Sequence, residues 1–139
     1  MAKLKIVQFG DDTLRKVCRP VEEITPRIKT LLDDMIDTMR AAEGCGLAAP
    51  QVGVLRRIAV IEVEEGTVYE LINPKIIAFS GEQRDREGCL SNPGYAGITK
   101  RPMTLPAQSF LPERSATSVI TSTVSSIPTY RSSLSTTDF

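Results

Sequence analysis

Between Thr25 and Gly44 the apolar positions are Ile28, Leu31, Leu32, Met35, Ile36 and Met39, the three- and four-residue spacing of one buried helical face. Thr25 supplies an N-cap hydroxyl, Pro26 takes the first helical position, where its missing N–H is harmless, and Gly44 is placed to stop the helix. Beyond it the pattern becomes that of strands. Residues 57–63 (RIAVIEV) and 68–73 (VYELIN) flank Glu64-Glu65-Gly66-Thr67 and predict a β-hairpin. Asn73-Pro74 turns the chain into a strand-like run at 75–80, and the polar stretch 83–87 suits an edge strand leading into a tight loop. Residues 98–105 predict a last strand, which Pro102 confines to an edge or a bulge. The order predicts an α+β fold: an N-terminal helix, then an antiparallel sheet whose apolar face needs more cover than that helix alone supplies.

Composition splits the chain in two. Residues 1–105 hold two serines and 30 charged residues, whereas 106–139 hold nine serines, six threonines and four charges. The change falls near Leu105-Pro106 and is abrupt. The later segment has no helical stripe, and its short apolar pairs such as Val119-Ile120 are weak strand signals, so it is expected to be disordered or irregular. The expected organisation is a domain over 1–105 and a Ser/Thr-rich tail over 106–139.

Charge and residue inventory narrow the chemistry. Lysine plus arginine balance aspartate plus glutamate at 17 each over 139 residues, so no basic field recruits nucleic acid or an acidic membrane. There is no histidine, which removes imidazole as base or metal ligand. Cys18, Cys45 and Cys89 are too few and too scattered for a disulfide framework or a C-x-x-C site. The start MAKLKIVQFGDDTLR lacks an apolar signal core, and no long apolar run occurs, so a soluble cytoplasmic protein is expected.

Two segments carry candidate chemistry. Gly44-Cys45-Gly46-Leu47-Ala48-Ala49-Pro50-Gln51 is dense in small residues that let backbone pass close to a ligand or another strand, and the Gln51 amide offers both a donor and an acceptor. The segment also reads as an ordinary structural turn between helix and strand. It is no phosphate loop, lacking the Gly-Lys-Ser/Thr ending. Glu87-Gly88-Cys89-Leu90-Ser91 sets a cysteine before a turn, either as a thiolate ligand or nucleophile or as a small buried hydrophobe.

In this order the two segments resemble the peptide deformylases, which carry G-x-G-x-A-A-P-Q, E-G-C-L-S and an H-E-x-x-H helix. The resemblance covers residues 1 to about 105. It implies metal-assisted hydrolysis of the formamide on the initiator methionine of nascent chains, near the ribosome. In the family a divalent metal, usually Fe²⁺, is held by the cysteine and the two helix histidines, and the helix glutamate moves the proton. Carried over, Cys89 is the thiolate ligand, while Gln51 and the Leu90 N–H stabilise the oxyanion. Gly44, Cys45, Gly46 and Leu47 let the peptide run alongside as an added strand. Glu87 anchors the site from behind, with Arg101 as its salt-bridge partner. The expected partners are N-formylmethionyl peptides, without sequence-specific nucleic acid and without membrane.

The third motif is missing from this sequence. The place where it is expected, about forty residues after Cys89, is occupied by the Ser/Thr-rich tail. A lone thiolate cannot hold a catalytic metal in a three-ligand geometry, so no metal is expected to be stably bound and the chain as written is expected to be inactive. A shift of reading frame near codon 105, in the gene or its assembled sequence, is the hypothesis that would explain both the serine jump and the lost resemblance. The alternative is a pseudoenzyme that binds formyl peptides without cleaving them.

Overall fold

The computed structural model describes residues 2–62, 64–76, 78, 80–102 and 107–109. Its single α-helix among these residues is α1 (Pro26–Ala41), and the Thr25 hydroxyl oxygen accepts from the Ile28 N–H at 3.4 Å. Leu32, Met35 and Met39 on one face are buried, with Ile28, Leu31 and Ile36 packed at the margin. They meet Leu47, Ile58, Val60 and Ile72, which form the other side of the core.

The helix ends one residue earlier than the glycine predicts. Glu43, with φ of 55°, takes the left-handed position, its N–H bonding the Arg40 carbonyl at 3.0 Å while the Gly44 N–H bonds the Met39 carbonyl at 3.0 Å. That is the crossed bond pair with which helices close on a left-handed residue. Gly44 serves a different end, described below.

The strands are β1 (Gly46–Ala48), β2 (Ile58–Glu62), β3 (Val68–Ile72), β4 (Lys75–Ile76), β5 (Gln83–Cys89), β6 (Asn92–Arg101) and β7 (Ala107–Gln108). The expected single sheet is three antiparallel sheets: β1-β2-β3, β4-β7 and β5-β6. The cause of the first division is Asn73, whose φ of 47° turns the chain out of the β3 line. Asn73 is held there by Val21, whose N–H donates to its Oδ1 at 2.7 Å and whose carbonyl accepts from its Nδ2 at 2.6 Å.

Two other expectations change. The small-residue segment contains a strand, β1, because it pairs with β2 in the register Gly46↔Ile61, Leu47↔Val60, Ala48↔Ala59. The last predicted strand begins at Asn92 rather than 98, since Gly94 (φ 80°) lets Pro93, Gly94 and Tyr95 loop out as a bulge between the pairs Cys89↔Asn92 and Gly88↔Ala96. It ends at Arg101, directly before Pro102. Past the compositional break, β7 pairs with β4 and the Ser109 hydroxyl bonds both the N–H and the carbonyl of Ile72, at 2.7 and 3.0 Å. The rest of the tail lies outside the described residues. Among the described residues no helix is long and apolar enough to cross a membrane.

Candidate functional site

Three segments converge on a cavity of about 570 Å³ bounded by Ile6 and Gln8, by Gly44, Cys45, Gly46 and Gln51, and by Gly88 to Leu90 with the bulge residues Pro93–Tyr95. A larger depression of about 1190 Å³ between residues 19–25 and α1 touches neither motif. Chemistry rather than volume selects the smaller one.

Gln51 is the centre of the site. It lies on the one-turn 3₁₀ helix Ala49–Val52 directly after β1 and is 2% exposed. Its Oε1 accepts from the Ala48 N–H at 3.0 Å, which turns the Nε2 donors toward the second motif. Nε2 donates to Ser91 Oγ at 3.1 Å and lies 3.7 Å from Cys89 Sγ. The Gln51 amide and the Cys89 thiol thus share one wall, with the buried Ser91 hydroxyl behind it.

The backbone holds the same groups in place. The Val7 N–H donates to the Gln51 carbonyl and the Phe9 N–H to the Ser91 carbonyl, both at 2.6 Å. A short N-terminal segment therefore ties together two motifs forty residues apart. Sequence reasoning assigned no role to that segment or to Ser91. Main-chain bonds leave no side-chain pattern to read, whereas Ser91 closes the Glu87–Ser91 motif, a place that could have marked it, and is buried in the structure at 3% exposed.

The other expected residues divide. Gly44, Cys45 and Gly46 border the cavity, but Leu47 is fully buried in the core cluster against α1 and does not. The Glu62 N–H bonds the Cys45 carbonyl at 2.9 Å, so Cys45↔Glu62 and Leu47↔Val60 are the bonded pairs of the β1–β2 ladder. By the antiparallel alternation, the N–H and carbonyl of Gly46 point away from β2, along the outer edge of β1. Leu90 joins the motifs sterically, its side chain lying over Gly44. Glu87 and Arg101 form a two-pronged ion pair, Nη2 to Oε2 at 3.0 Å and Nε to both carboxylate oxygens at 3.3 Å, behind the cavity wall rather than in it.

Beside the site, Arg40 at the end of α1 grips the Glu62 carboxylate with Nε at 2.7 Å and Nη2 at 2.8 Å, and the Gly66 N–H adds a third bond at 2.9 Å. These bonds, the Arg40 contribution first, hold the Glu62 carboxyl down at about 2. The contact fastens α1 to the hairpin turn next to Cys45.

A family model described as polypeptide deformylase matches residues 3–124. The chain belongs to the peptide deformylase family. It is 61% identical over 102 residues to a peptide deformylase of Acetivibrio thermocellus, covering 73% of this chain and 59% of that one. To a peptide deformylase of Agathobacter rectalis it is 58% identical over 102 residues, covering 73% and 64%. The chain thus spans less than two thirds of the length of these curated relatives. Among solved structures, a peptide deformylase from Legionella pneumophila superposes with a TM-score of 0.75 at 39% identity, covering 78% of this chain and 65% of that one. One from Ehrlichia chaffeensis, in complex with actinonin, gives 0.76 at 42% identity, covering 78% and 69%.

Peptide deformylases are metal-dependent, and the donor set among the described residues does not fit a metal centre. No histidine is present in the 139 residues. Among the described residues no three His, Cys, Asp or Glu side chains stand close enough together to hold a metal ion. The Cys89 thiol faces the neutral Gln51 amide donor, Nε2 at 3.7 Å.

Proposed function

We propose that this chain recognises N-formylmethionyl peptides, the initiator ends of nascent chains in the cytoplasm near the ribosome, and binds them without hydrolysing them. The observation that carries the reading is the convergence of the open Gly46 edge with the pinned Gln51 amide on one cavity. The peptide main chain pairs with Gly46 as an added strand, satisfying its N–H and carbonyl. Gln51 Nε2, exchanging its long contact with Cys89 Sγ, and the Leu90 N–H donate to the formyl oxygen, while Ala48 and Ser91 keep hold of both ends of the Gln51 amide. Hydrolysis of the formamide needs an activated water and a general base, which the family draws from its H-E-x-x-H helix. The sequence holds no histidine, and among the described residues no donor cluster is present to supply them.

Fluorescence anisotropy with a labelled N-formylmethionyl tripeptide and its unformylated twin tests recognition. The expected result is saturable binding of the formyl peptide and at least about tenfold weaker binding of the free amine, which lacks the oxygen that Gln51 Nε2 and the Leu90 N–H contact. Equal affinity for the two, or none for either, overturns the reading.

A further inference from the structure

Among the described residues that border the Gln51 cavity, Glu43 is the only aspartate, glutamate, lysine or arginine. It is exposed, and no lysine or arginine among the described residues pairs with its carboxylate. Glu43 follows directly on the end of α1, so its charge adds to the negative end of the helix dipole. The cation in the last turn, Arg40, is taken up by Glu62 at 2.7 and 2.8 Å. The cavity is also bordered by Tyr95, 73% exposed, whose ring face attracts a cation. The carboxylate is kept at a φ of 55°, where glycine would be the less strained residue. Nothing cationic borders the cavity to offset this field.

The direction of β1 says which part of a peptide meets it. β1 runs from Gly46 to Ala48 and leads straight into the turn that carries Gln51. A peptide whose formyl end is at Gln51 and whose main chain follows the Gly46 edge runs antiparallel to β1. Its later residues then pass Gly44 and reach Glu43. We infer that Glu43 sets specificity beyond the methionine, selecting peptides with lysine or arginine as third or fourth residue. This rests on the formyl-peptide reading above and names the class of peptide preferred. The long stem of either side chain lets its charge reach the carboxylate from both positions. An acidic residue there is repelled by Glu43 and by the end of α1 together.

Competition against the labelled formyl tripeptide tests this, with formyl-Met-Ala-X-X amides in which X is lysine, norleucine or glutamate. The lysine peptide is expected to bind about three- to tenfold tighter than the norleucine peptide, and the glutamate peptide weakest. The lysine-to-norleucine ratio should fall toward one at high salt and in Glu43→Gln. Glu43→Lys, which reverses the charge, should invert the order so that the glutamate peptide outbinds the lysine peptide. A purely structural role for Glu43 would not produce that inversion, and far-UV circular dichroism matching the parent shows that both variants are folded. Binding of the norleucine peptide without a lysine preference, or a preference that survives both substitutions, overturns the inference and leaves formyl recognition standing. Failure of all three peptides to compete overturns both.

Discussion

Gly44 and Leu90 touch so closely that a methyl group on Gly44 would lie 2.6 Å from Leu90 Cδ1 and 3.1 Å from its Cγ. The two sequence motifs are therefore joined by a steric fit in addition to the Gln51 hydrogen bonds. Gly44→Ala should cost about 1–3 kcal/mol, because the Leu90 side chain must leave its place at the margin of the core. Leu90→Val in that background should recover part of the loss. A double-mutant cycle by urea denaturation checks the coupling, and additive losses would show that the contact carries none.

Because Gly44 is committed to this contact, Glu43 bears the left-handed turn that ends α1. Glu43→Gly should raise stability by about 0.5–1 kcal/mol, the relief of a Cβ in that region less the added freedom of the unfolded chain. Thermal denaturation should show a higher Tm. A lower one would mean that the Glu43 side chain matters more than its backbone.

Asn73 combines a left-handed backbone with two side-chain bonds to Val21, and it diverts the chain from the first sheet to the second. Asn73→Ala should cost about 2–3 kcal/mol, from two part-buried main-chain groups left without their partner. The measurement is again chemical denaturation, with the peptide cavity as a control: residues around Gln51 should keep their NMR shifts.

The Arg40–Glu62 contact predicts an acid-sensitive contribution to stability. The Glu62 carboxyl titrates near 2 when folded and near its ordinary value of 4.5 when unfolded. Folding therefore gains from the ionised form above about 4.5, and that gain fades as the pH falls toward 2. The Tm difference between the parent and Glu62→Gln should be full near neutrality and shrink through this window. A difference independent of pH would contradict the assignment.

How much of this was legible in the sequence follows from what each element depends on. α1 was readable because its cap, its proline and its apolar stripe are all local. The β2–β3 hairpin was readable for the same reason. β1 was not, since Gly-Leu-Ala has no alternation and becomes a strand only by pairing with Ala59–Ile61. The first half of β6 looks like a turn, Asn-Pro-Gly, and is one in part: its bulge is what lets a strand continue past it. The motifs lead to residues that border the cavity around Gln51 and Cys89, whereas Leu47 of the same segment lies in the core. The clamp by Val7 and Phe9 is main-chain only and has no sequence signature.

The central claim is recognition of a formyl peptide without its hydrolysis, and one experiment addresses both halves. The protein is titrated with an N-formylmethionyl peptide in the presence of Fe²⁺ or Ni²⁺, the complex is followed by anisotropy, and formate release is followed by mass spectrometry. Saturable binding that weakens about tenfold or more in Gln51→Ala, with no formate above the protein-free control, is the predicted result. Catalytic release of formate, or binding indifferent to Gln51, would contradict the account.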